Sequence, residues 1–458
     1  LFIPYAFALA GLVYRLQPVV WIRRVYRVCL AAWVFLTIGM PLGSWWAYTI
    51  LGWGGYWGWD AVEISGLLPW LLSTTLVHSM YMANRGRAFQ RWVVALAFST
   101  AILILFGILI TRSGILESVH AYASSAMGPV LTVLVCAHLL PAAFLLTSRW
   151  RELGEEKPQA KHDLGGILMI LSNILLAGAA FVYLVGQTFP LTSGVLTSEK
   201  LSFSPAQYEG LSSPFWLLFA LVMALYPFTN LTKRDGKSFF RSVVSLAAAA
   251  GLLVACLSLF ISLDLLSAFS FWVCAAMLFA WLYELCIRFI KPLFARRVSF
   301  SLLGSIFIHL GFALLAFGII GVERLASYHD VRVAPGESAS VEDFSIQALQ
   351  PANSVLSDGR VVFAFPVQLS TNQGAQAALM PLIEHFPKLE AFHAQPDIYS
   401  TPARDIQLVA ESLPAASSEP FSLRVNVYPF MTWLWAGGAL MILGGFLSLL
   451  KKGTAPSE

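Results

Sequence analysis

Two histidines, His78 and His309, lie inside apolar runs long enough to be membrane helices, "LLPWLLSTTLVHSMYM" and "SIFIHLGFALLAFGII". An ionisable side chain within a span is costly and marks function by default. Each histidine falls a few residues from the basic end of its run. At ~1.5 Å per residue both sit roughly 9–12 Å below that surface. Two imidazoles at one depth on two helices suit axial ligation of a haem iron from both faces. The alternative is a pair of separately hydrogen-bonded core histidines.

A second constellation is "LGWGGYWGWDAVE", residues 51–63. Trp53, Tyr56, Trp57 and Trp59 are interleaved with Gly54, Gly55 and Gly58, and Asp60 and Glu63 follow. Indoles favour the membrane interface, where the ring is shielded and the N–H meets a polar partner. Glycines let a flat ligand approach the backbone. At helical spacing Trp53 and Trp57 share a face, as do Tyr56 and Asp60, which predicts an amphipathic platform. Asp60 and Glu63 suit either helix capping or ligand orientation. His120 follows a span in "LITRSGILESVHAYASS", on the same side of the membrane as this stretch. His138 reads as structural, and His162, His329, His385 and His393 read as surface residues.

The elements that position these residues are helices in lipid. Of the 458 residues, 58% are hydrophobic and only 12% charged, too few charges for a soluble surface of this size. That excludes a soluble enzyme, and nothing in the composition points to nucleic acid. A span needs roughly 20 apolar residues. About eleven runs qualify, near 2–15, 27–48, 66–84, 92–111, 127–147, 165–187, 213–230, 242–263, 268–290, 301–321 and 429–450. Arg and Lys cluster in alternate connections, which makes that side cytoplasmic. The Trp-rich segment 51–66, the connection 112–126, a loop near 189–212 and residues 322–428 then face outward. Residues 322–428 carry alternating runs such as "RVVFAFPVQLS" that predict strands. The expected fold is an all-α polytopic membrane protein, with a bundle over 1–321, a small β-rich extracytoplasmic domain over 322–428, a final span at 429–450 and a tail at 451–458. The five cysteines form no CxxC pair and read as free thiols buried in apolar surroundings.

"WGGYWGWDAVE" resembles the signature of the WWD haem-handling proteins. "LLPWLLSTTLVHS", "GILITRSGILESVHAYASS", "SIFIHLGFALLAFGIIGVERLASYHDVRVAPGES" and "WLWAGGALMILGGFLSL" resemble the large members, the cytochrome c maturation haem lyases of the CcmF/NrfE family. The resemblance spans nearly the whole chain. It implies that His78 and His309 bind a resident b-type haem. It implies that His120 binds incoming haem over Trp53, Trp57, Trp59 and Asp60, with Gly54, Gly55, Tyr56 and Glu63 alongside. It further implies a haem chaperone of the CcmE type, thiol-handling subunits of the CcmH type, apocytochrome c as acceptor, quinol as electron donor, and the bacterial inner membrane as the location. The family's first external histidine would lie upstream of Leu1. Tyr56 stands where members commonly have Trp, and Ala61 where they have Pro. Two other classes fit parts of the pattern: a haem transporter without bond formation, and a quinol-linked haem b subunit.

Overall fold

The computed structural model describes residues 1–51, 55–85, 89–116, 127–153, 163–229, 236–290, 299–388, 390–414 and 418–450. The expected Trp53, Gly54 and His120, and also His162, lie outside them. The helices are α1 Phe2–Val13, α2 Pro18–Trp46, α3 Ala61–Ala83, α4 Gln90–Ser113, α5 Met127–Ser148, α6 Leu164–Thr197, α7 Pro205–Leu225, α8 Gly236–Leu257, α9 Leu265–Leu285, α10 Phe300–Leu325 and α11 Met431–Leu449. Every expected span is therefore a helix. Among the described residues nine are long and apolar enough to cross a membrane, fewer than expected. α1 is short at 12 residues. α3 has 23 residues but carries Ser65, Ser73, Thr74, Thr75, His78 and Ser79. The expected loop at 189–212 is mostly helix. Thr188 and Thr197 bond back to the carbonyls four residues earlier and carry α6 through Pro190. A Ser204–Gln207 capping box then starts α7 early.

The chain forms two compact units. One, the bundle, comprises Leu1–Met40, Gly58–Ala313 and Ala439–Glu458. Within it α3 packs on α4 and α6, α4 on α1 and α5, α7 on α6 and α9, and α9 on α8. Ile22, Cys29, Leu76, Met80, Val93 and Ala97 belong to one buried cluster. The polar residues of α3 have partners on its neighbours. Trp33 Nε1 donates to Thr74 Oγ1 at 2.7 Å, and Trp70 Nε1 to Thr37 Oγ1 at 2.9 Å. Asn173 Nδ2 donates to Ser79 Oγ at 3.1 Å, and Gln187 Nε2 to the Ala61 carbonyl at 2.9 Å. In lipid such bonds and close backbone approach, rather than apolar burial, hold helices together. So α3 is pinned along its length. Cys29 and Cys274 are buried, but Cys136, Cys256 and Cys286 are exposed free thiols rather than buried ones.

The other unit comprises Pro41–Trp57 and Leu314–Gly438. Its strands are β1 Ser327–Val333, β2 Ser338–Val341, β3 Phe344–Ala348, β4 Ala352–Val355, β5 Val361–Ala364, β6 Val367–Thr371, β7 Gln376–Leu379, β8 Leu382–Phe386, β9 Ala391–Gln395, β10 Asp397–Ser400, β11 Arg404–Ala410 and β12 Phe421–Pro429. They pair antiparallel in three four-stranded sheets, β1-β12-β11-β10, β2-β3-β6-β7 and β4-β5-β8-β9. Alternation puts Phe344 and Ile346, Ile406 and Leu408, and Leu423, Val425 and Val427 in one core. The opposite face of β11 carries Asp405 and Gln407, both buried. They grip the π-helical turn Ala47–Leu51 that ends α2. Tyr48 Oη donates to Asp405 Oδ2 at 3.1 Å, and Gln407 Nε2 donates to the Tyr48 carbonyl at 2.9 Å. Asn426 Nδ2 in turn fixes the Gln407 side-chain oxygen at 2.8 Å. Burial pushes the Asp405 carboxyl up to about 6. The helix therefore ends where the sheet takes its carbonyl, just before the Trp-rich segment.

Candidate cofactor site

His78 and His309 meet. Their ring centroids are 6.2 Å apart with planes inclined by 65°. Each Nδ1 lies against a carbonyl one turn back: Thr74 O at 2.9 Å for His78 and Ser305 O at 2.7 Å for His309. A carbonyl only accepts, so each Nδ1 carries the proton and each Nε2 keeps its lone pair for a metal. With metal–nitrogen bonds of about 2 Å, imidazoles on opposite faces of one iron stand roughly 6 Å apart between centres. The pair fits such a group in separation, tautomer and burial. Among the described residues no group of three or more His, Cys, Asp or Glu side chains could hold a metal ion.

The surroundings of the pair come from other helices. Trp281 on α9 stacks flat on His309, centroids 4.2 Å apart and planes 11° apart. Tyr226, just after α7, lies near-parallel to the indole, with centroids 6.4 Å apart. Beside them is a cavity of about 300 Å³, lined in part by Arg85, Asp163, Tyr226, Trp281, Glu284 and Arg288. Glu284 is buried and ion-paired with Arg288. Sequence reasoning named neither Trp281 nor Glu284. A lone acid in "FWVCAAMLFAWLYELCIRF" was the available signal, by the same rule that singled out the histidines.

The Trp-rich segment is not the expected helical platform. Among its described residues, 55–60 are non-helical, and the helix begins at Ala61. Trp59 adopts φ 55°, in the left-handed region, which breaks any helical run through it. Asp60 and Glu63 form a capping box on α3: Asp60 Oδ2 accepts from Val62 N–H, and Glu63 Oε2 accepts from Asp60 N–H at 3.0 Å and Gly58 N–H at 2.9 Å. The acids thus set where α3, the helix of His78, starts. Trp59 stacks on Tyr208 at 5.2 Å with planes 7° apart, and its Nε1 donates to Glu209 Oε1 at 3.1 Å. In the other unit, Tyr56 Oη donates to Glu323 Oε1 at 2.9 Å, and Trp57 is half-buried beside Gly55. His138 bonds back to the Leu134 carbonyl and packs against Tyr5, as a structural residue does.

A helical membrane bundle with a facing histidine pair, and a β-rich region inserted before its last helix, defines a multi-pass membrane protein. A family model for cytochrome C assembly proteins matches residues 15–116. The chain is 31% identical to the cytochrome c-type biogenesis protein CcmF of Pseudomonas aeruginosa, covering 98% of this chain and 69% of that one. It is 30% identical to CcmF of Haemophilus influenzae over 98% of this chain and 70% of the relative. The NrfE protein of Haemophilus influenzae is 28% identical over 97% and 69%. A solved structure titled "Cytochrome c Heme Lyase CcmF" shares the fold, with a TM-score of 0.77 at 21% identity, covering 98% of this chain and 69% of that one. The chain belongs to the CcmF family of cytochrome c-type biogenesis proteins.

Proposed function

We propose that the chain acts as a cytochrome c haem lyase that holds a resident b-type haem between His78 and His309. The observation that carries this reading is the pair itself: rings 6.2 Å apart, each with Nδ1 tied to a carbonyl. A b-type haem held there supplies one-electron redox chemistry. His78 and His309 would hold its iron, each through the Nε2 left free by its Nδ1–carbonyl bond. Incoming haem, delivered by a chaperone of the CcmE type, is substrate at the Trp-rich segment, with His120 as its iron ligand. Trp53, Trp57, Trp59 and Asp60, with Gly54, Gly55, Tyr56 and Glu63, shape that surface. In the reaction an apocytochrome thiol adds S–H across a haem vinyl C=C, giving a thioether with no leaving group and no net oxidation. Partner subunits of the CcmH type present the thiols, so this chain orients the reactants rather than supplying a nucleophile. The basic ends of the helices lie in the cytoplasm and the β domain on the periplasmic face of a bacterial inner membrane.

Vesicles carrying the chain and its partner subunits, given reduced haem on its chaperone and apocytochrome, test this. Thioether product is expected only when the apocytochrome is supplied on the β-domain face. His120→Ala is expected to abolish product and leave the membrane haem spectrum unchanged. Haem released without attachment would instead mark a carrier.

The reading takes quinol as the electron donor. The cavity beside Trp281 has groups a quinol head uses: flat aromatic rings, and Glu284 to take a proton. Glu284→Gln is expected to slow reduction of the membrane haem by quinol roughly a hundredfold, while dithionite still reduces it. Equal rates with quinol would remove Glu284 from the path.

A further inference from the structure

An imidazole bound to iron turns easily about the iron–nitrogen bond, and the angle between two axial planes governs the electronic structure of the iron. A device that stops this rotation is therefore part of the site. His309 has two restraints and His78 has one of the same kind. Both rings are tethered by Nδ1 to a carbonyl of their own helix. Among the described residues His309 alone of the two is stacked, face to face, by an indole from another helix, with centroids 4.2 Å apart and planes 11° apart. Rotation of the His309 ring about its Nε2 axis would drive its edge into that indole. The indole is itself packed in: Trp281 is 4% exposed, and Tyr226 lies near-parallel to it with centroids 6.4 Å apart. The indole Nε1 is buried and has no hydrogen-bond partner in the structure, so Trp281 is not held there by a hydrogen bond of its own. A buried donor left open is unfavourable, and its retention needs a reason other than packing economy. A leucine or phenylalanine would fill the space without that cost.

We infer that Trp281 is a positioning residue for His309, which fixes the plane of this axial imidazole and thereby sets the electronic state of the iron it binds. This rests on the bis-histidine haem reading above and adds a residue to it. The aromatic face carries the positioning. The buried N–H is the part of the side chain left open.

The test uses the full chain in membranes, with Trp281→Leu and Trp281→Phe compared against the unaltered protein. Low-temperature electron paramagnetic resonance of the oxidised haem reports the angle between axial planes, and a redox titration reports the midpoint potential. Trp281→Leu is expected to keep its haem but broaden and move the low-spin signal and shift the potential. Trp281→Phe keeps a flat face and is expected to restore the signal, while its potential stays displaced because the N–H is gone. If Trp281→Leu inserts normally but loses haem, recovery of haem and signal in Trp281→Phe supports the same conclusion. A Trp281→Leu protein with the unaltered signal and potential would overturn the inference. So would a Trp281→Phe signal as displaced as that of leucine. Absence of any b-type haem in the unaltered protein is a separate outcome, and it would overturn the underlying reading instead.

Discussion

On the proposed bis-histidine reading, alanine at His309 is expected to leave the protein without its b-type haem. The Soret band of the purified variant should fall to background, and alanine at His78 should do the same. Each imidazole offers one Nε2, and the partner ring is 6.2 Å away, with no third histidine stacked against either ring in the described structure. Loss of a hydrogen-bonding partner behind a metal-bound histidine typically costs roughly 10–100-fold in affinity. Loss of the ligand itself is expected to cost more than that. The informative control is His138→Ala. His138 also lies in a membrane helix and also bonds by Nδ1 to a carbonyl four residues back, but it faces Tyr5 rather than another histidine. It should keep its haem. Equal Soret absorbance in His309→Ala and His138→Ala would mean the pair is not the ligand set. Exogenous imidazole, which fits the space alanine vacates, is expected to restore part of the band in His309→Ala only.

Leucine at Gly444 is expected to be as damaging, by a different route. Within the bundle, α10 and α11 touch backbone to backbone. A Cβ at Gly444 would meet the Gly304 carbonyl oxygen and the Ile308 amide nitrogen, each at 2.6 Å. Neither atom is the end of a flexible side chain, so the helices must separate. Ile308 precedes His309, and the separation therefore moves that imidazole. Overpacking a tight contact costs roughly 1–3 kcal/mol, occasionally more, when backbone must shift. Small residues at such crossings are what hold membrane helices together. Gly444→Leu should thus lower both the unfolding temperature and the haem content, with Gly444→Ala intermediate. Gly39 on α2 has nothing within 4 Å of its would-be Cβ. Gly39→Leu should be tolerated, since leucine also favours the helix more than glycine does. Unchanged haem content in Gly444→Leu would show that the α10–α11 contact does not position His309.

Hydropathy is a local property, and so the helices were legible. All eleven expected runs are helices, because a lipid-spanning segment must satisfy its backbone within itself. Local chemistry also carried the capping residues, since a box such as Asp60–Glu63 is complete within four positions. The equal depth of His78 and His309 could be counted from the basic ends of their runs. Their meeting could not, because the side of a helix that faces a distant helix depends on crossings at residues such as Gly304 and Gly444. The Trp-rich segment misled for a related reason. Its spacing suits a helix, but Trp59 at φ 55° breaks it, and its stacking on Tyr208 and bond to Glu209 come from α7.

The sequence by itself determined a multi-pass helical protein, a β-rich insertion before the last helix, and two histidines deep in lipid. Tertiary structure alone decided that those histidines face each other, that Trp281 lies flat on one of them, and that Asp405 and Gln407 grip the end of α2. The division follows the physics. Burial in lipid and strand alternation are set by each residue and its near neighbours, whereas the partner of a side chain is set by how separate elements pack.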